Sequence, residues 1–169
     1  MQRIFLERIQ SPLGEIILGT DQGDALRVLD FTDYEARMMT LLDRQYGKGE
    51  VALDKARQAS AAGPALARYF KGDLDAIKKL KVANGGTEFQ RKVWKALRAI
   101  PAGRPTSYGT LADKLGLPQA ARAVGLANGA NPIAIVVPCH RVIGANGSLT
   151  GYGGGIARKE WLLKHESRD

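Results

Sequence analysis

Apolar residues near the start of the chain come in short runs parted by turn formers. Residues 4–9, 15–19 and 25–31 read as strands, and Ser11-Pro12-Leu13-Gly14 and Asp21-Gln22-Gly23 separate them, which predicts an antiparallel meander. The period then changes: Met38, Leu41 and Leu42 recur at helical spacing over residues 34–46, and residues 47–50 break the pattern. Residues 65–70 form a second short helical pattern, with Pro64 in a favourable first-turn position. Residues 74–82 fit neither template.

Asn84-Gly85-Gly86 marks a domain boundary, giving domains at residues 1–84 and 85–169. Thr87 and Gln90 have the spacing of a capping box, and Phe89, Val93, Trp94, Leu97 and Ile100 follow as an apolar helical stripe that ends at Pro101, Gly103 and Pro105. Two short helices are predicted at 108–115 and 118–127, joined at Gly116-Leu117, with Pro118 in the first turn of the second. Such a pair is what a helix-turn-helix needs, although many helical hairpins bind nothing. Residues 131–137 read as a buried strand that delivers Pro138-Cys139-His140-Arg141-Val142. Asn146-Gly147 is a turn, Gly151-Tyr152-Gly153-Gly154-Gly155 a flexible loop, and residues 156–165 a last helix with Ile156, Trp161, Leu162 and Leu163 on its apolar side.

Composition narrows the chemistry. No apolar run is long enough to span a bilayer, and charge interrupts the N-terminus too early for a secretory signal, so a cytoplasmic protein with no membrane partner is expected. A single cysteine excludes an intramolecular disulfide and any multi-cysteine metal site, and with only two histidines no metal or cofactor is expected. The net charge of +8 is uneven: residues 1–84 hold 13 Lys/Arg against 12 Asp/Glu, whereas residues 85–169 hold 12 against 5. A basic half-chain suits a polyanion, because each phosphate contact releases counterions. Within it, Gln119-Ala120-Ala121-Arg122-Ala123-Val124-Gly125 offers small side chains and one Arg where a sequence-reading helix presents several long polar ones. That composition fits close approach to DNA without sequence readout, or equally close packing on another protein segment.

Cys139 is the one thiol, and the thiolate is the nucleophilic form. A cysteine after an apolar run is most often inert packing. Here His140 is adjacent and the surroundings are cationic, which favours ionisation. An imidazole that takes a thiol proton needs a carboxylate on its other nitrogen, and Asp113, Glu160 and Glu166 are candidates that spacing alone does not separate.

Pro138-Cys139-His140-Arg141-Val142, preceded by Gly129-Ala130-Asn131-Pro132 and followed by Gly151-Tyr152 and Lys159-Glu160-Trp161-Leu162-Leu163, resembles the O6-alkylguanine-DNA alkyltransferases. The likeness is dense over residues 86–166, includes Ala120-Ala121-Arg122-Ala123-Val124-Gly125, and is loose before that apart from Ser11-Pro12-Leu13-Gly14. The resemblance implies an α/β (α+β) fold: an N-terminal antiparallel sheet with helices, then a mainly helical C-terminal domain with a winged-helix-like helix-turn-helix.

It also implies roles. Cys139 attacks the alkyl carbon on guanine O6, His140 acts as base through a water, and Glu166 orients His140. Tyr108 helps turn the nucleotide out and donates to the departing guanine, and Arg122 fills the gap in the duplex. The helix-turn-helix lies in the minor groove of double-stranded DNA carrying alkylated bases, with Gln119, Ala121, Ala123 and Gly125 at the interface. Asn131 ties the turn before Cys139. Tyr152, Gly153 and Gly154 border the alkyl pocket, and the carbonyls of Cys139 and Val142 recognise the guanine amine. The implied protein is a monomer that needs no cofactor and is used up in one transfer. Gly153 departs from the family, many of whose members carry Ser there. Two other readings stand beside this one: a non-catalytic lesion-binding protein, whose relatives usually replace the cysteine by Trp, and a Cys–His hydrolase with no need for DNA.

Overall fold

The computed structural model describes residues 1–167, which divide into two compact units, Met1–Gly86 and a second that begins at Thr87. The last two residues of the expected second domain lie outside the described residues.

In the first unit three strands, β1 (Gln2–Ile9), β2 (Ile16–Thr20) and β3 (Leu26–Phe31), form the antiparallel meander read from the sequence. Its first turn closes where Ser11 Oγ accepts from the Leu13 N–H at 3.1 Å and donates to the Gly14 carbonyl at 2.6 Å. Helix α1 (Glu35–Tyr46) then carries the chain to β4 (Val51–Lys55), which pairs parallel to β1 and completes a sheet ordered β3-β2-β1-β4. Sequence pattern missed β4 because its residues are half-buried or exposed rather than alternating. Ile4, Ile17, Val28, Met38 and Leu42 meet in the core, where α1 lays two residues of one face on the sheet. Gly19 must lack a side chain: a Cβ there would stand 2.4 Å from Val28 Cγ1 and 2.6 Å from Ile4 Cγ2. Helix α2 (Ala62–Phe70) follows, and the ambiguous residues 74–82 become turns, with Val82 bridged to Leu26.

The second unit starts with α3 (Glu88–Arg98), whose capping box is complete: Thr87 Oγ1 accepts from the Gln90 N–H at 3.1 Å, and Gln90 Oε1 accepts from the Thr87 N–H at 3.0 Å. Val93, Trp94 and Leu97 are buried. The Trp94 indole N–H donates to the Ala127 carbonyl at 2.9 Å, tying α3 to a later helix. A two-residue strand β5 (Thr106–Ser107) runs into α4 (Tyr108–Lys114), capped by Ser107 Oγ. The next helix, α5 (Ala121–Gly129), starts later than predicted. Pro118 and Gln119 belong to the connection, because the Ala120 N–H closes a turn on Leu117 O at 2.9 Å before helical geometry begins.

The predicted buried strand at 131–137 is a correction. The segment is buried throughout but folds as a compact turn, with the Val137 N–H on Ile133 O at 3.0 Å and Ile135 at φ +69°. Its backbone is satisfied by Asn131, whose side chain donates to Val137 O at 2.8 Å and Ile133 O at 3.3 Å and accepts from the Ile133 N–H at 3.0 Å. Periodicity cannot separate such a knot from a buried strand. Cys139 therefore sits in a 3-10 turn, Cys139–Arg141, followed by β6 (Val142–Ile143), which pairs parallel with β5.

The final helix α6 (Ile156–Glu166) exists as read, but its inward face does not. Lys159, Leu162 and Glu166 are buried, whereas Ile156 is exposed. Two charged residues displace the apolar stripe because each has polar partners inside.

Candidate active site

The 3-10 turn places Cys139, His140 and Arg141 together in the interior. His140 is fully buried, and its Nε2 lies 2.9 Å from Glu166 Oε2 on α6. Arg141 grips the same carboxylate from two directions, Nε to Oε1 at 2.9 Å and Nη2 to Oε2 at 2.8 Å, and its Nη1 donates to Ile100 O at 2.7 Å. Of the three acids left open by spacing, the structure brings Glu166 to the imidazole. Glu160 is exposed and pairs with Lys164, and Asp113 is exposed on α4. Gly103 permits this arrangement: it holds φ +80°, and a Cβ there would meet the Glu166 carbonyl at 2.9 Å.

The electrostatics follow from that geometry. Burial works against a charged Glu166, but the bonds from His140 and Arg141 outweigh it and hold the carboxyl well below the usual carboxylate range. Burial also pushes His140 down, with Arg141 and Lys159 acting the same way and Glu166 opposing them. The imidazole is thus neutral near pH 7 and donates its Nε2 proton to Glu166, leaving Nδ1 as the acceptor. His140 Nδ1 is buried and has no hydrogen-bond partner among the described residues. A neutral imidazole with an available lone pair, beside a thiol, has what a general base needs.

Cys139 is 8% exposed, so it retains a small opening to solvent, and its thiol is in no disulfide. Its carbonyl accepts from Asn128 Nδ2 at 3.3 Å, which fastens α5 to the turn. Because β5 leads into Tyr108 and β6 follows Arg141, their pairing tethers Tyr108 to the same segment. The Tyr108 ring lies over Gly125, where a Cβ would sit 3.7 Å from Cδ1. Val142 is buried and its carbonyl accepts from Lys159 Nζ at 2.7 Å. In the glycine loop, Gly154 is buried, and Tyr152 and Gly153 are half-buried. Arg122 and Ala123 are exposed on α5, Gln119 is exposed in the connection, and Ala121 is half-buried.

Sequence reasoning gave no part in the site to Arg141, Lys159, Asn128, Gly103 or Leu126. Arg141 and Lys159 stood inside quoted motifs, but a buried cation looks like a surface one in sequence. Leu126 is 73% exposed, one turn from Arg122, so the outward face of α5 carries a large apolar residue beside its cation.

Residues 88–168 match a family model described as the DNA binding domain of 6-O-methylguanine DNA methyltransferase. The chain is 51% identical over 166 residues to a methylated-DNA–protein-cysteine methyltransferase of Shigella flexneri, covering 98% of this chain and 97% of the relative. A methyltransferase of the same name from Methanosarcina acetivorans is 45% identical over 157 residues, 93% of this chain and 94% of its own. Among solved structures, Mycobacterium tuberculosis OGT in complex with DNA superposes with a TM-score of 0.77 at 45% identity, covering 98% of this chain and 92% of that one. The O6-methylguanine-DNA methyltransferase of Pyrococcus kodakaraensis gives 0.75 at 28% identity, covering 99% and 100%. With whole-chain relatives at this identity around a buried Cys-His-Glu cluster, the chain belongs to the methylated-DNA–protein-cysteine methyltransferase family.

Proposed function

We propose that this chain repairs alkylated DNA by moving an alkyl group from guanine O6 onto Cys139, once per molecule. The reading rests chiefly on His140, whose Nδ1 is unpartnered among the described residues while its Nε2 is locked to Glu166. The thiol proton passes to Nδ1 through a water. The sulfur then attacks the alkyl carbon, the S–C bond forms as the C–O6 bond breaks, and the electron pair leaves with the guanine. The guanine anion takes a proton, delivered through the Tyr108 hydroxyl, and the imidazolium returns its own to solvent. The product is a thioether, which offers water no carbonyl to attack, so the thiol is not regenerated.

A stacked guanine hides its O6 group, so the nucleotide turns out of the duplex at a cost of about a few kcal/mol, less for a poorly paired lesion. Arg122, exposed on α5, fills the vacated space. Gln119, Ala121, Ala123 and Gly125 lie along the minor groove, and Leu126 rests against its sugar walls. Binding through phosphates and groove shape suits damage that occurs in any sequence. The M. tuberculosis relative crystallised with DNA supports duplex DNA as the partner. Tyr152, Gly153 and Gly154 border the alkyl pocket, and Asn131 keeps the turn before Cys139 rigid. The carbonyls of Cys139 and Val142 recognise the guanine amine; the first already accepts from Asn128 Nδ2 and the Val142 N–H, so the amine shares or displaces one of those bonds. Residues 85–169 form the DNA-binding and alkyl-transfer domain, and residues 1–84 an accompanying α/β domain. The protein acts as a monomer in the cytoplasm, which sedimentation and cell fractionation check. Among the described residues no helix is long and apolar enough to cross a membrane.

The test is a mass measurement. Incubation with a duplex containing O6-methylguanine should add one methyl group to Cys139 and leave unmodified guanine in the DNA. No gain with excess lesion, or several turnovers per molecule, defeats the proposal.

A further inference from the structure

Lys159 is 0% exposed, and a lysine is almost never fully buried without a reason. Its Nζ donates to Val142 O at 2.7 Å and to Thr150 O at 2.8 Å. Those two carbonyls belong to the strand that leaves the nucleophile's turn and to the segment entering the glycine loop. One ammonium therefore staples the Cys139 segment to the loop over residues 151–155. Two carbonyls satisfy hydrogen bonds but carry no net charge, so a buried cation still lacks a counter-ion. Glu166, on the same face of α6, is committed to His140 and Arg141. Burial pulls the Lys159 ammonium below its ordinary value, and the Cys139 thiolate, a group of the same interior that becomes negative, opposes that pull.

We propose that Lys159 is a positioning residue for the transfer reaction, fixing the pocket loop to the nucleophile's strand while its buried ammonium stabilises the Cys139 thiolate. On α6 the reaction's two charge-handling groups then stand seven residues apart on one inward face, Glu166 serving the imidazole and Lys159 the sulfur. The inference concerns the same site as the proposed function and rests on that reading for its biological use. The electrostatic claim, however, is testable without DNA. The other ionisable groups of the site are His140 and Arg141 on the thiol's own turn, Glu166 on α6, Tyr108 on α4 and Tyr152 in the glycine loop. Helix α3 turns Val93, Trp94 and Leu97 inward, and α5 contributes the neutral Asn128.

The experiment labels Cys139 with iodoacetamide across a pH series in the intact protein and in Lys159→Met and Lys159→Gln. Loss of the cation should lower the labelling rate near pH 7 roughly tenfold, with the rates converging above about pH 10, where any thiol is ionised. A defect that is merely structural changes the rate at every pH. Methyl transfer from an O6-methylguanine duplex should fall in parallel, while affinity for undamaged duplex is kept. Should neither variant fold, the unaltered protein still reports: the solvent-protected lysine ammonium signal in its NMR spectrum should shift when Cys139 is carboxamidomethylated. Labelling profiles that coincide with the unaltered protein's, or a protected lysine signal that does not move, overturn the inference. If the profiles shift but the unaltered protein takes no methyl from DNA, Lys159 keeps its role and the substrate reading fails instead.

Discussion

Glu166→Gln separates the orienting charge from its shape. The carboxylate accepts from His140 Nε2 at 2.9 Å, from Arg141 Nε at 2.9 Å and from Arg141 Nη2 at 2.8 Å, all in the buried interior. An amide keeps the volume but offers one acceptor oxygen in place of two. If that oxygen faces Arg141, the amide N–H2 points at His140 Nε2 and forces the other tautomer. Nδ1 then carries the proton and no longer accepts one from Cys139. Loss of a positioned base is worth roughly 10²–10⁴ in rate. The side chain of Arg141, 6% exposed, would also lose its charge partner, and breaking a buried pair from one side costs about 3–5 kcal/mol.

Stability should show the pH dependence as well as the loss. The folded carboxyl is held below its ordinary value of 4.5, so its contribution is fully present above that pH and disappears as pH falls toward the folded value. His140 is also depressed from 6.5, so the unfolded chain binds its proton first and stability declines as pH drops below that. The stability gap between the unaltered protein and Glu166→Gln should therefore be widest near neutral pH and shrink below about pH 4.5. Urea titrations at several pH values measure the gap, and single-turnover transfer from an O6-methylguanine duplex measures the rate on folded protein. A variant that transfers within about twofold of the unaltered rate at neutral pH would refute Glu166 as the group that sets the His140 tautomer.

Trp94→Ala should lower unfolding stability by about 3–5 kcal/mol in urea, since it empties a fully buried site and removes the indole's bond to the Ala127 carbonyl. Gly103→Ala should slow transfer more than it weakens duplex binding, because its Cβ displaces the end of α6 that carries Glu166; single-turnover rates beside gel-shift affinities separate the two. Leu126→Asp should weaken binding to damaged and undamaged duplex alike, by roughly tenfold for one carboxylate set against phosphates, in fluorescence anisotropy. Arg122→Ala should cut transfer from a paired lesion by an amount that shrinks when the lesion sits opposite a mismatch, where eversion is easier.

The elements that were legible in sequence are those made by local chemistry. The capping box at Thr87 and Gln90, the turn at Ser11 and the stripe over Val93, Trp94 and Leu97 each declare themselves within a few residues. Residues 131–137, β4 and the inward face of α6 did not, because each depends on partners far along the chain. An apolar run normally becomes a strand by finding a ladder partner for its backbone. Here one buried amide, Asn131, takes two carbonyls and an N–H, and the run can coil on itself.

The same substitution of side chains for regular structure governs the candidate site. Cys139 and His140 are conspicuous as residue types, but the competence proposed for them depends on charged groups buried where a hydrophobic pattern predicts none. Lys159 and Glu166 occupy inward positions of a helix whose apolar residues Trp161 and Leu163 are only half-buried. Burying both ions opposes folding unless their partners are already in place. The 3-10 turn must therefore be formed when α6 docks, since it supplies His140 and Arg141 to Glu166 and leads into the Val142 carbonyl for Lys159. Assembly of the nucleophile's turn and packing of the last helix are then one cooperative event, and no part of the charge arrangement can be held without the rest.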